Sequence, residues 1–275
     1  MLLSKKPETK ECIVEILAKG ALDTTMLQVV VQEKKTITKQ GFYKALRELI
    51  AEEVVVKNKQ VVLLSTTWLS RMKNFVGSVD ANYTAQIGGE LLDLKEGDSM
   101  VFTFKSLLSL DLLWMHYFCI LAKEHDESVL LYNGHNFWNL LRPDIENTLY
   151  EWLNEYKKDK TYYVIGHNTP LDKISNMYMK DEYGIQVAFE NTPSLPENSH
   201  PVVFGDYVMN TVLDNTLVHA IDALYKKNTV WNDDVKKELE EIVSRLRRSK
   251  VVIERNKKKA EQIRKKLMKY FVFYK

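Results

Sequence analysis

The chain has 275 residues, with 39 basic and 37 acidic side chains, a net charge of +2 and 45% hydrophobic residues. That length accommodates two domains with cores of their own, while two isolated cysteines, Cys12 and Cys119, argue against a disulfide framework or a CxxC zinc site. No apolar run approaches the roughly 18 residues that span a bilayer, and the N-terminal MLLSKKPETK lacks a signal-peptide core, so the expected setting is cytoplasmic, without a membrane partner.

In chain order, the first predicted element is a helix over Glu8 to Lys19, with Cys12, Ile13, Ile16 and Leu17 on one face and Gly20 as its stop. Asp23 or Thr24 caps a second helix that runs through Gln32. Thr36 or Thr38 caps a third, in which Phe42, Ala45, Leu46, Leu49 and Ile50 recur at helical spacing. Between them Lys39, Gln40, Tyr43, Lys44 and Arg47 form a polar face whose donors suit phosphates and base edges. Val54-Val55-Val56 and Val61 to Leu64 read as two strands around Lys57-Asn58-Lys59-Gln60, where Asn58 tolerates the left-handed backbone of a tight turn.

Helix, helix, turn, helix, hairpin is the order of a winged helix-turn-helix domain. The segment FYKALRELIAEEVVVKNKQVVLLSTTWL resembles the winged-helix domains of prokaryotic regulators of the broad TrmB-like and ArsR-like groups. In those families the third helix enters the major groove and the wing touches the flanking backbone. The resemblance therefore implies double-stranded DNA as a partner. The candidate DNA-binding residues are Thr38, Lys39, Gln40, Tyr43, Lys44 and Arg47 on the helix and Lys57, Asn58 and Lys59 on the wing. Winged helices also serve as protein-protein modules, so an interaction adaptor is the competing reading.

Charge is distributed unevenly. Residues 1–75 hold 13 basic and 8 acidic side chains, residues 76–232 hold 11 and 22, and residues 233–275 hold 15 and 7. A basic head and tail around an acidic middle favour polyanion contact at the ends.

From Phe75 to Lys105 the pattern loosens into a bridge, with turns at Gly88-Gly89 and Gly97-Asp98 and a strand over Ser99 to Phe104. Ser106 to Lys123 is a strongly apolar helix, either buried or packed on a partner chain in a homodimer. Strands over Val129 to Tyr132, Thr161 to Ile165 and Ile185 to Phe189 then alternate with helices opened by Arg142-Pro143-Asp144 and Thr169-Pro170-Leu171-Asp172. A hairpin turns at Gly205-Asp206, and a helix over Asp214 to Lys227 follows. Short strands separated by helices indicate an α/β domain with a largely parallel sheet. Asn232 to about Tyr270 has no glycine or proline and reads as one long basic helix. The domains expected are thus residues 1–75, 76–231 and 232–275.

The stretch VVFGDYVMNTVLDNTLVHAIDALYKK resembles the end of phospholipase-D-like domains, which TrmB-like regulators carry behind the winged helix. The catalytic form of that family needs a His-x-Lys-x4-Asp motif. None of His116, His125, His135, His167, His200 and His219 has lysine two positions later, so the resemblance implies a non-catalytic version. Gly134-His135-Asn136 and Gly166-His167-Asn168 follow predicted parallel strands, where open sheets gather ligands. Asn133, His135, Asn136, Arg142, His167 and Asn168 are accordingly the candidate lining of an effector cleft, although ordinary turn chemistry explains the same residues. No Walker loop, GxGxxG, GxSxG or HExxH occurs, and no metal or cofactor is expected. The sequence thus indicates an α/β protein with an N-terminal winged helix. It would act as a homodimeric, sequence-specific, DNA-binding transcriptional regulator and not an enzyme, with a nucleic-acid-processing enzyme as a further alternative.

Overall fold

The computed structural model describes residues 8–125, 128–134, 142–157, 159–180, 184–189 and 195–271. The chain separates into two units, Met1–Ala85 and Gln86–Lys275.

In the first unit, helix α1 (Thr9–Leu17) starts at a capping box between Glu8 and Glu11. A two-residue strand, β1 (Leu22–Asp23), leads into α2 (Thr24–Lys34), where the Asp23 carboxylate accepts a hydrogen bond from the Thr25 N–H at 2.8 Å. Of the two cap candidates for α3 (Lys39–Ala51), Thr38 is the cap: its hydroxyl accepts from the Gly41 N–H at 3.1 Å. Strands β2 (Val55–Asn58) and β3 (Val61–Leu64) form the hairpin, and β1 adds to it in the order β1-β3-β2. Ile13, Leu27, Val31, Phe42, Leu46 and Val62 close the core between the helices and this sheet. The fold is a winged helix-turn-helix.

Two details differ from expectation. Asn58 still pairs with Val61 in the ladder, so the wing turn is Lys59-Gln60, and the left-handed residue is Lys59 (φ 55°). Residues 75–105 are not mostly loop, because a 27-residue helix, α4 (Thr66–Leu92), runs through the Gly88-Gly89 pair. Each glycine costs a helix only about 1 kcal/mol relative to alanine, which neighbouring turns can offset.

The second unit begins with β4 (Ser99–Phe104) and α5 (Leu107–Glu124). Next come β5 (Leu130–Gly134), α6 (Pro143–Lys157), β6 (Thr161–Ile165), α7 (Pro170–Lys180) and β7 (Gln186–Phe189). The hairpin β8 (Ser199–Phe204) and β9 (Tyr207–Val212) follows, then α8 (Asn215–Lys227), α9 (Asp233–Ser244), β10 (Ser249–Arg255) and α10 (Lys257–Met268). This is an α/β arrangement, but its seven-stranded sheet, ordered β4-β10-β9-β8-β5-β6-β7, is mixed and not largely parallel. Only β5–β6 and β6–β7 run parallel. The tight Gly205-Asp206 turn forces β8 and β9 antiparallel, and β10 enters antiparallel to both its neighbours.

The expected long C-terminal helix is also corrected: residues 233–268 form helix, strand, helix. Freedom from glycine and proline permits a helix but does not require one. Val251, Val252 and Ile253 are consecutive β-branched residues that lose rotamer freedom in a helix and fit a pleated surface. Ser249, Val251 and Ile253 turn to the core, and Leu246, read as helical, is 67% exposed beyond α9.

Alternation along the strands assigns the two faces of the sheet. Leu130, Tyr163, Ile165, Val202, Phe204, Met209, Val251 and Ile253 face a large core shared with α5, α6, α8 and α9. Leu131, Tyr162, Val164, Val203 and Val208 face the other way, against Ala260, Ile263 and Leu267 of α10. No helix among the described residues is long and apolar enough to cross a membrane.

Candidate functional site

On α3 the buried residues Phe42, Ala45, Leu46 and Leu49 anchor one face, and this orients the rest. At about 100° per residue, Lys39, Gln40, Tyr43, Lys44 and Arg47 fall within an arc of about 140° on the opposite side. Lys39, Gln40, Lys44 and Arg47 are exposed, whereas Tyr43 is half-buried, its ring edge-on to Phe42 at 5.2 Å between centroids. The acidic residues of the helix lie on a different flank, where Lys10 of α1 holds Glu48 at 2.9 Å and Glu52 at 2.6 Å. The outward face therefore keeps its positive character. Thr38 is committed to its cap. In the wing, Lys57, Asn58 and Lys59 are exposed, and the Gln60 carbonyl accepts from the Thr24 N–H at 2.8 Å and its hydroxyl at 2.7 Å, tying the hairpin tip to the start of α2.

The proposed cleft residues meet different fates. Asn133 is buried and its amide donates to the Val164 carbonyl at 3.1 Å, so it stitches β5 to β6. His167 Nε2 lies 3.3 Å from Asp222 Oδ2 on α8, while Asn168 is exposed. Arg142 Nη1 pairs with Asp111 Oδ2 of α5 at 2.9 Å. His135 and Asn136 lie outside the described residues.

What the structure adds beside Arg142 is an acidic and phenolic cluster in which Tyr150 and Tyr163 are buried and Asp111, Tyr132 and Glu146 are half-buried. Tyr132 and Tyr163 are register partners on the parallel strands, their rings 4.9 Å apart, and the Tyr132 side chain lies across Gly134, leaving no space for a Cβ there. Glu146 and Tyr150 come from successive turns of α6 and are hydrogen-bonded to each other. Burial, reinforced by the Asp111 charge, pushes the Glu146 carboxyl up to about 7. Burial also raises Asp111 despite Arg142, and raises the Tyr132, Tyr150 and Tyr163 hydroxyls. A carboxyl that exchanges its proton near neutrality among hydroxyl groups can donate or accept a proton, or register a bound charge. The spacing of Glu146 and Tyr150, in phase with buried Leu149 and Leu153, was the available sequence signal for this cluster. Asp111 was hidden in an otherwise apolar helix.

No protein-family model matches the chain, and no curated protein matches it. Two of the solved structures similar to it at low level are the following. One is TrmBL2, described as an archaeal chromatin protein with a novel mode of DNA binding, at 11% identity and a TM-score of 0.37, covering 97% of this chain and 93% of that one. The other is NucT from Helicobacter pylori, at 9% identity and a TM-score of 0.39, covering 63% of this chain and 94% of that one. The expectation that the chain is not an enzyme is corrected here: it rested on the missing His-x-Lys-x4-Asp motif, and the similarity to NucT stands against it. At these scores neither match assigns an activity or a partner.

Proposed function

We propose that this chain is a DNA-binding transcriptional regulator that works as a homodimer, with the winged helix as its reader and the α/β unit as a sensing or dimerisation body. The observation that carries the reading is the exposed face of α3. Its apolar side is spent on the core, its acidic flank is held by Lys10, and Lys39, Gln40, Lys44 and Arg47 are left free of the core, as are Lys57 and Lys59 at the wing. A recognition helix needs that division of labour, since base edges and phosphates are reached only by side chains that the fold does not use.

Support for a dimer comes from α4. Leu69, Met72, Val76 and Val79 follow a three-four-three spacing and, with Phe75, are between 37% and 62% exposed. A heptad-spaced apolar stripe is complementary to a second copy of itself. Pairing of two readers would also match paired half-sites.

The test is a gel shift with mixed genomic fragments at low salt, followed by titration of a selected site. Arg47→Ala is expected to weaken the specific site by roughly 1–3 kcal/mol if it reads a guanine edge. Lys57→Gln and Lys59→Gln should weaken all duplexes alike and flatten the salt dependence. No retention of any fragment would end the DNA-binding reading. Equal loss on specific and random DNA for Arg47→Ala would end the readout assignment.

A further inference from the structure

Helix α10 separates its residues by chemistry as well as by burial. Ala260, Ile263 and Leu267 are buried against the outer face of the sheet, and Arg264 pins the helix by donating from Nη2 to the Gly205 carbonyl at 2.7 Å. Lys259 is drawn to Glu254 of β10. On the side away from the sheet, Lys258, Gln262, Lys265 and Lys269 recur at spacings of four, three and four, which places them along one ridge. Lys266 flanks that ridge and Glu261 is the acidic residue beside it. Lys258, Lys265 and Lys266 form no ion pair with another described residue, and Lys269 sits 4.7 Å over the Tyr270 ring. Along one flank runs a cleft of about 280 Å³, lined by Lys259, Gln262 and Lys266 with Ser199 and Asn210, which supply further hydrogen-bonding groups.

The geometry points to a second polyanion surface, α10, that contacts the phosphate backbone of double-stranded DNA independently of sequence. This inference rests on the DNA-binding reading of the winged helix and extends it to a part of the second unit. A ridge of lysines offers compact charge without the planar fork that reads base edges, so it favours backbone over sequence. The surface suits nucleic acid better than a lipid bilayer because the apolar residues of α10 are already committed to the sheet, and interfacial helices need an apolar face to insert. The rest of the second unit before α9 is acidic, with 21 acidic residues against 11 basic ones over residues 86–232, which concentrates attraction at this helix.

The experiment compares three full-length proteins on a random-sequence duplex across a salt series. One is wild type. A second carries Lys258, Lys265, Lys266 and Lys269 changed to Gln. A third, matched in charge, carries Lys226, Lys227, Lys236 and Lys237 changed to Gln on α8 and α9. All four α10 positions are exposed, so melting curves should be unchanged. Each lost phosphate contact should make the slope of log affinity against log salt shallower by about 0.9, so the α10 variant is expected to lose a slope of about 2–4 and at least about tenfold in affinity near 50 mM salt. The matched control should behave as wild type. Wild-type binding with an unchanged slope in the α10 variant, or an equal loss in the control, overturns this inference and leaves the winged-helix reading standing. A wild-type protein that retains no duplex overturns both. Loss of binding to phosphatidylserine vesicles, with duplex binding intact, reassigns the surface to lipid and overturns it as well.

Discussion

Two ionisable residues of the second unit, Lys157 buried and Glu146 half-buried, have different tasks. Lys157 is 1% exposed, and its ammonium donates to the carbonyls of Ser128 (3.0 Å) and His125, closing the connection from α5 to β5. Glu146 sits among phenols and beside the Asp111–Arg142 pair, where burial raises its carboxyl to about 7. The sign of the stability effect follows from linkage. Folded protein binds more protons than unfolded protein between the ordinary carboxyl value and about 7, so the native state is favoured at low pH and loses stability as pH rises through that window. Glu146→Gln removes the titration while preserving the shape. Denaturant melts should show wild type losing on the order of 1–3 kcal/mol between about pH 5 and pH 8, and the variant losing much less. Parallel pH curves for the two proteins would refute the raised carboxyl. The same residue is the natural first choice for a substitution in any activity assay, because its proton is exchangeable near neutrality.

Elements in this chain are bounded by local chemistry that the sequence carries openly. Asp23, Thr38, Ser106, Asp214, Asn232 and Asn256 each cap the helix that follows them. The end of α3 is less expected. Glu53 adopts φ 59°, its N–H bonds to the Ile50 carbonyl at 3.0 Å, and the Val54 N–H reaches back to Leu49 at 2.9 Å. This is a Schellman motif whose left-handed position normally belongs to glycine. Glu53→Gly should therefore raise stability by about 0.5–1 kcal/mol, set by relief of the left-handed strain against the greater chain entropy of glycine. Its exposed pair with Arg71, at 2.5 Å, is expected to contribute little. A lower melting temperature for the variant would show that this pair matters more than the backbone strain. Lys59 at the wing tip carries a similar strain (φ 55°) in a turn whose basic side chain the proposed function uses.

For the whole molecule, the consequential feature is the stripe on α4, whose apolar residues find no core within the described chain. Val76→Asp puts a charge at the middle of the stripe on a residue already 62% exposed, so the monomer fold should survive. On the proposed homodimer, sedimentation should then show a dissociation constant raised at least about 100-fold, since an unpaired charge at a helix seam costs several kcal/mol. Palindromic duplex binding should fall with it, as two readers no longer act together. A variant that remains dimeric at micromolar concentration would move the interface elsewhere, with the exposed Leu108 and Leu112 of α5 as the next surface to alter.

The sequence by itself determined the local pieces: the winged-helix order, the caps, the hairpin at Gly205-Asp206 and the α/β alternation of the second unit. These depend on periodicity and turn chemistry within a few residues of one another. It also made the polar face of α3 legible, because Phe42, Ala45, Leu46 and Leu49 define the opposite side. Tertiary structure alone decided that Val251 to Ile253 form a strand between β9 and β4, that Asn133 bonds across to Val164, and that Asp111, Arg142, Tyr132 and Tyr163 converge on Glu146 and Tyr150. Those outcomes depend on partners tens to more than a hundred residues away. For the basic tail, packing against the sheet outweighed an uninterrupted helical composition. Its lysines ended as the outer ridge of a short helix whose inner face is core.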